Sequence, residues 1–149
     1  MTGVNGPIVV GTDGSDTAAV AVRTATALAK TFGQPLHVVC AYHVPVAADG
    51  LALSAGVSAT AGLDGGWVED VLVSAAAEAK ESGVEVRTHS RAGNPAEAIL
   101  DVADEVNADL IVVGNRGIGS KSRFILGNVP SRVVHHATCS TYVVNTKGG

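Results

Sequence analysis

Apolar residues along the chain form short continuous runs that are separated by longer stretches with helical spacing. The runs at 7–11, 36–42 and 110–113 are rich in Val, Ile and Leu, which is typical of strands buried on both sheet faces. Residues 17–32 instead repeat Ala, Val, Leu and Phe at the spacing of one helix face. The pattern predicts alternating strands and helices.

Helix start and stop residues support this alternation. Ser15 and Asp16 are N-cap types before the first helix, and Gly33 is a C-terminal stop. A second helix starts at Asn94 as N-cap, with Pro95 in the first helical position. The pattern predicts further helices at 67–82 and 129–136, an edge or half-buried strand at 84–89, and a last strand at 140–144.

Residues 43–66 are rich in Gly, Ala and Ser and show no clear period. Structureless segments of this length are uncommon inside compact domains, and they are usually lids or disordered insertions. We therefore expect a flexible loop at 43–66.

Five strands and four helices in one series, without an internal repeat, predict a single domain over residues 1–149. The fold class is α/β, a doubly wound parallel sheet with helices on both faces. Such sheets bind ligands beyond the carboxyl ends of their strands, where the strand order reverses. Two segments leave strand ends in this way: 11–15 and the segment that follows Val113.

Composition narrows the class of protein. With 149 residues, 46% apolar and 16% charged, the chain can bury one core. Aromatic residues make up only 3%, which argues against a stacking platform for single-stranded nucleic acid. No run approaches a membrane span of about 20 apolar residues, and no signal peptide is recognisable. Cys40 and Cys139 lack metal-site spacing. Taken together, these features lead us to expect a cytoplasmic protein without nucleic-acid or membrane partners.

Charge is distributed unevenly along the chain. All 14 acidic residues lie before residue 110, whereas half of the ten Lys and Arg residues lie after it. A basic C-terminal segment on an acidic body creates a local positive field that attracts a small anion. The alternative interpretation is an ordinary solvated basic surface.

The segment 114–128, GNRGIGSKSRFILGN, follows the most continuous apolar strand. Glycine permits close approach of a ligand to the backbone, and successive amide N–H groups can form an anion cradle. At the far end, Gly127 and Asn128 lead into a helix whose first N–H groups lack intrahelical partners. The two ends together predict a site for phosphates.

Three known patterns do not fit this segment. In a Walker A loop, Lys follows the second glycine directly, but here Ser120 separates Gly119 from Lys121. The dinucleotide fingerprint Gly-x-Gly-x-x-Gly is absent. A phospho-acceptor domain would carry paired acids after the first strand, where this chain has only Asp13.

A fourth pattern fits. Gly114-x2-Gly117, nine residues and then Gly127 resembles the Gly-x2-Gly-x9-Gly-Ser/Thr phosphate motif of the universal stress protein family. The segments VVGTDGSDTAAVAV, ADLIVVGNRG and LGNVPSRVVHHATCSTYVV are also similar to that family, and the resemblance covers nearly the whole chain except 45–66. It implies strand order 3-2-1-4-5, binding of ATP or another adenine nucleotide, and a homodimer formed through the last strand.

The resemblance also implies roles for individual residues. The phosphates would be held by backbone amides and by a nearby cation, from Gly114, Arg116, Gly117, Gly119, Gly127, Asn128, Val129 and Pro130. The adenine would be lined by Gly11, Thr12, Ala41 and Val113. Asp13 would bond the ribose or help to place a Mg²⁺ ion that accompanies the nucleotide, although an acid at this position can also serve as a turn or helix-cap residue.

One position departs from the family pattern. Asn128 replaces the final Ser/Thr, so an amide stands where the family has a hydroxyl. Asn caps a helix as well as Ser does, and Ser131 in the same turn could supply a hydroxyl. The preferred ligand is therefore open between ATP, AMP and cyclic AMP.

Three functions remain open at this point. The first is a nucleotide-binding regulatory domain of the stress response. The second is a slow ATPase or phosphotransferase that uses Mg²⁺ held by Asp13, although the sequence shows cations without a clear base. The third is a dimeric scaffold module that has lost its ligand, and Asn128 is the feature that favours it.

Overall fold

The computed structural model of the protein describes residues 3–42, 51–115 and 126–146, and within α2 it describes side chains from residue 66 onward. The elements in chain order are β1 (Ile8–Gly11), α1 (Asp16–Phe32), β2 (Leu36–Tyr42), α2 (Leu51–Glu81), β3 (Val86–Ala92), α3 (Pro95–Val106), β4 (Leu110–Gly114), α4 (Asn128–His136) and β5 (Ser140–Val144).

The strands form one parallel sheet in the order β3-β2-β1-β4-β5. Val9 at the centre lies opposite His37 on β2 and Ile111 on β4. The order reverses between β1 and β4, because β2 and β3 extend to one side of β1 while β4 and β5 extend to the other. This confirms the predicted fold class and strand order.

Both faces of the sheet are covered, as the continuous apolar strands predicted. Successive side chains of a strand point to opposite faces, so Ile8 and Val10 pack with α1 and α2. Val9 lies between them and packs with α3 and with Val133 of α4. All four of these side chains are fully buried.

The predicted helix caps are present. The Ser15 hydroxyl accepts from the Ala18 N–H, and Gly33 ends α1 in the left-handed conformation at φ 66°. The Asn94 side chain accepts from the N–H groups of Ala96 and Glu97 at the start of α3. These local signals therefore set the bounds of α1 and the start of α3 close to the predicted ones.

Two predicted elements have the wrong bounds. Helix α2 begins at Leu51, not at 67, so the predicted loop is helical over 51–66; residues 43–50 lie outside the described residues. Ala and Leu of this stretch are strong helix formers, whereas each of its four glycines costs about 1 kcal/mol in a helix. Strand β3 spans Val86–Ala92 and not 84–89, because its pairing with β2 continues to Tyr42.

No helix within the described ranges has both the length and the apolar character needed to cross a membrane.

Candidate nucleotide site

The candidate site lies where the strand order reverses. Strands β1 and β4 are hydrogen-bonded neighbours, with Val10 opposite Val112. Their carboxyl ends lead into the β1–α1 loop and into the glycine-rich segment, respectively. The fold thus brings the two segments singled out by sequence to the same edge of the sheet.

The β1–α1 loop is held by its own polar side chains. The Thr12 hydroxyl accepts from the Gly14 N–H at 3.1 Å, and Asp13 Oδ1 accepts from the Ser15 N–H at 2.9 Å. The Thr12 N–H donates to the Val39 carbonyl at 2.9 Å, which ties the loop to β2. Asp13 is therefore a turn residue. A carboxylate has a second oxygen, so the exposed Asp13 side chain can also accept from a ligand hydroxyl.

The buried Cys40 thiol of β2 is affected by the charge of the Asp13 carboxylate. Burial, and then the negative charge of Asp13, raise the pKa of the Cys40 thiol to about 11. Cys40 directly follows Val39, whose carbonyl bonds the Thr12 N–H, so the Asp13 loop lies beside β2 as well as at the end of β1. The thiol stays protonated at neutral pH and acts as a core residue.

Three residues predicted to line an adenine slot share one face of the sheet. Ala41 and Val113 both pack with the α3 side of the core, and a side chain on Gly11 would clash with Ile99 of α3. Val113 is only 3% exposed. Their side-chain positions belong to packed core, so any contact with a base would come from the half-buried backbone at the strand ends.

Asn115 joins both ends of the glycine-rich segment. Its N–H donates to the Val144 carbonyl of β5 at 2.9 Å, and its carbonyl accepts from the Gly127 N–H at 3.0 Å. Its side-chain Oδ1 accepts from the N–H and the hydroxyl of Thr146. Gly114 and the start of α4 are thereby held next to each other.

Among the described residues, no side chain caps the start of α4. The N-cap is Gly127, in an extended conformation at φ −61° and ψ 165°, and Asn128 is the first helical residue. The interpretation of Asn128 as a capping residue is therefore wrong. In the first turn, the N–H groups of Asn128 and Val129 have no intrahelical acceptor.

Two predicted phosphate ligands need correction. Pro130 has no N–H and is buried, so it packs and cannot donate. The Gly127 N–H is engaged with Asn115, so Gly127 serves as the uncapped helix end and not as a donor in this arrangement. Arg116, Gly117 and Gly119 lie outside the described residues, and their roles stay predictions.

A groove of about 480 Å³ adjoins the start of α4. It collects three of the predicted residues, Asn128, Val129 and Ser131, but not the β1 residues. It also contains Arg132. In the described part of the chain, Arg132 is the Lys or Arg residue closest in sequence to this helix start. Among the described residues, no group of three or more His, Cys, Asp or Glu side chains could hold a metal ion by itself.

Sequence reasoning missed Asn115, Thr146 and Arg132. Asn115 directly follows Gly114, the last residue of β4. Asn is frequent in turns because its side chain can bond nearby backbone groups, so the sequence alone could have indicated a structural role for it. Thr146 lies 31 residues away from Asn115 and becomes its partner only through the pairing of β4 with β5.

Comparisons with known proteins agree with the fold and with the family resemblance of the sequence. Residues 5–145 match the model of the universal stress protein family. A universal stress protein of Methanocaldococcus jannaschii is 33% identical over 92% of this chain and 80% of its own length. One of Mycobacterium tuberculosis is 32% identical over 93% of this chain and 95% of its own.

Solved structures give the same result. A universal stress protein in complex with cAMP is 30% identical, with a TM-score of 0.70 over 97% of this chain and 99% of its own. UspA from Lactobacillus plantarum is 26% identical, with a TM-score of 0.83 over 97% and 100%. A protein of Archaeoglobus fulgidus in complex with dAMP is 26% identical, with a TM-score of 0.66 over 95% and 99%. The chain belongs to the universal stress protein family.

Proposed function

We propose that this chain binds an adenine nucleotide and acts as a regulatory domain of the stress response. One observation carries the proposal: α4 starts at a glycine N-cap whose N–H bonds Asn115, directly after β4, one of the two strands between which the order reverses. The cAMP and dAMP complexes of similar proteins support the choice of an adenine nucleotide.

The proposed pose follows from the chemistry of each segment. A phosphate accepts from the N–H groups of Asn128 and Val129, where the helix dipole places about half a positive charge. The ribose is bonded by Asp13, and the adenine lies against the backbone of Thr12 and Ala41. The glycines of 114–119, with Arg116, add donors on the other side of the phosphate.

A Mg²⁺ ion fits this site only together with a nucleotide. Mg²⁺ is commonly bound by one or two carboxylates plus substrate phosphates, and Asp13 offers one exposed carboxylate. When bound with ATP, the ion would neutralise phosphate charge. Asp13 would orient it from the β1 side.

We also propose that the protein is a cytoplasmic homodimer joined through β5. In the described sheet, β5 is an edge strand, and its Tyr142 side chain is 46% exposed. An edge strand with an exposed aromatic residue is suited to pairing with a second copy. Both cysteines are free, which agrees with a reducing compartment.

Calorimetry with ATP, AMP and cAMP, with and without Mg²⁺, tests the proposal. We expect saturable heat with at least one nucleotide and a rise in Tm set by ligand concentration over Kd. Recovery of the nucleotide after overnight incubation separates binding from slow hydrolysis. Absence of both heat and a Tm shift with all three nucleotides would reject the proposal.

Gly114→Ala locates the site. Its added methyl would stand where the backbone meets the phosphate, so we expect Kd to rise by about tenfold or more. Gly66→Ala is the matched control, because its Cβ would meet nothing within 4 Å. Equal affinity of the two variants would mean that the phosphate lies elsewhere.

A further inference from the structure

Asn115 receives hydrogen bonds from two segments that are distant in sequence. Its carbonyl accepts from the N-cap residue of α4, Gly127, at 3.0 Å. Its Oδ1 accepts from the Thr146 hydroxyl at 2.8 Å and from the Thr146 N–H at 3.1 Å. Its own N–H continues the β4–β5 pairing through the Val144 carbonyl. Every one of these bonds fixes the point where β4 ends and the glycine-rich segment begins.

Thr146 is suited to hold this point firmly. It lies two residues beyond β5 and is only 2% exposed, so its hydroxyl depends on a partner inside the protein. Both its donors bond the same Asn115 oxygen, which restricts rotation of the Asn115 side chain. The Asn115 backbone is then positioned from β5, a strand outside the proposed ligand contacts.

The position of Asn115 sets the position of the α4 start. Gly127 has no side chain with which to cap α4, and its N–H bonds the Asn115 carbonyl, so this bond joins the end of β4 to the first turn of α4. Asn128 and Val129 come directly after Gly127 in the chain, so the position of Gly127 also determines where their N–H groups lie. Donors that are placed before the ligand arrives bind it more tightly, because less ordering is required on binding.

We propose that Thr146, acting through Asn115, is a positioning residue for the phosphate-binding start of α4. It does not touch the ligand; it holds Asn115, and Asn115 holds Gly127. The inference rests on the proposed function, since it concerns the donors of that same site. It adds a residue that lies outside the glycine motif and after the last strand.

Conservative substitutions test the inference. Thr146→Val removes the hydroxyl and keeps the shape and the N–H, and we expect the Kd for whichever of cAMP, AMP or ATP binds the unmodified protein to rise about three- to tenfold, as for one lost hydrogen bond. Thr146→Ser keeps the hydroxyl and should restore binding to within twofold. Asn115→Ala loses both Oδ1 bonds and should bind at least as weakly as Thr146→Val.

Thr26→Val is the matched control. Thr26 is also buried, and its hydroxyl donates to the Val22 carbonyl at 2.8 Å within α1. This variant removes the same kind of bond away from α4, so it should alter Tm without altering Kd. The comparison separates positioning from a general loss of stability.

The outcomes distinguish the two proposals. If the unmodified protein binds none of the three nucleotides, the proposed function fails. If it binds and Thr146→Val binds equally well, the function stands and the positioning role is wrong. Weakened binding that Thr146→Ser does not restore, or that Thr26→Val reproduces, would also overturn the positioning role.

Discussion

Two strand-to-helix connections meet at the same edge of the sheet, and they satisfy their backbone groups in opposite ways. In the β1–α1 loop, side chains of the loop itself accept the N–H groups: Thr12 bonds Gly14, Asp13 bonds Ser15, and Ser15 caps Ala18. At the start of α4, the cap residue is a glycine without a side-chain acceptor. The first connection is self-contained, whereas the N-cap residue of the second accepts no first-turn N–H group through a side chain.

The start of α3 shows that the difference is not a general property of this edge. Asn94 caps α3 by accepting from two N–H groups, those of Ala96 and Glu97. Both α1 and α3 therefore carry a capping side chain, and α4 does not. Because the N-cap residues of α1 and α3 cap with a side chain, the glycine N-cap of α4 stands out, and a helix start of this kind is suited to an anion.

Supplying the missing cap should abolish this difference, and we expect the largest effect from it. Gly127→Asp places a carboxylate at the N-cap, where it accepts the first-turn N–H groups and repels a phosphate. Gly127 has φ −61°, which any residue adopts. Stability should rise by roughly a few tenths of a kcal/mol, because glycine is itself a fair N-cap, while nucleotide affinity falls on the order of a hundredfold.

Gly127→Asn separates the two causes, because it caps without adding charge. Its affinity for the nucleotide, measured by calorimetry, should lie between the affinity of the unmodified protein and that of Gly127→Asp. A more stable Gly127→Asp protein that binds nucleotide normally would show that the α4 start is not the anion site.

Removing the N-cap side chain of α1 should lower stability without lowering nucleotide affinity. Ser15→Ala deletes the hydroxyl that accepts from Ala18 and should cost about 1 kcal/mol of unfolding free energy in urea denaturation. The Ser15 N–H still bonds Asp13, so the loop keeps its turn. Kd should stay within twofold of the unmodified value; a large loss of affinity would mean that the α1 start also binds the ligand.

Acid should act at a third place, the pairing of β2 with β3. His37 Nδ1 lies 2.9 Å from His89 Nε2, and burial, the facing ring of His89 and Arg87 lower the pKa of His37, while Glu85 opposes this. Burial and then Arg91 lower the pKa of His89; Glu105 of α3 opposes the shift, and Arg87 contributes a further lowering. The folded state thus favours two neutral rings joined by one hydrogen bond.

The sign of the pH effect follows from these shifts. The unfolded chain takes up protons near the ordinary His value of 6.5, before the folded protein does, so stability is full above pH 6.5 and falls as the pH decreases below it. We expect Tm to drop by a few degrees between pH 7.5 and 5. His89→Gln should show a smaller drop over the same range, and an unchanged drop would place the acid sensitivity elsewhere.

Much of the fold was predictable because its signals are local. The continuous apolar strands at β1 and β4, the Ser15 and Asn94 caps and the Gly33 stop each depend on a few adjacent residues. Helix α2 was missed over residues 51–66 because its composition is apolar without a helical period, so no face could be recognised.

The site was less predictable because its hydrogen bonds join segments that are distant in sequence and meet only in the folded sheet. The glycine spacing located the segment, but the bonds from Asn115 to Gly127 and Thr146 depend on β4 and β5 lying side by side. The absence of a cap at Gly127 depends on which residue starts the helix, and a difference of one residue changes the role of Asn128. Element bounds are the least certain part of any such prediction.

The central claim is that the first-turn N–H groups of α4 bind the phosphate of an adenine nucleotide. An amide NMR titration with cAMP, AMP and ATP tests it most directly, by following the backbone resonances of Asn128 and Val129. We predict saturable downfield shifts of both resonances, at a midpoint that matches the calorimetric Kd. Saturable binding that leaves both resonances in place would contradict the account.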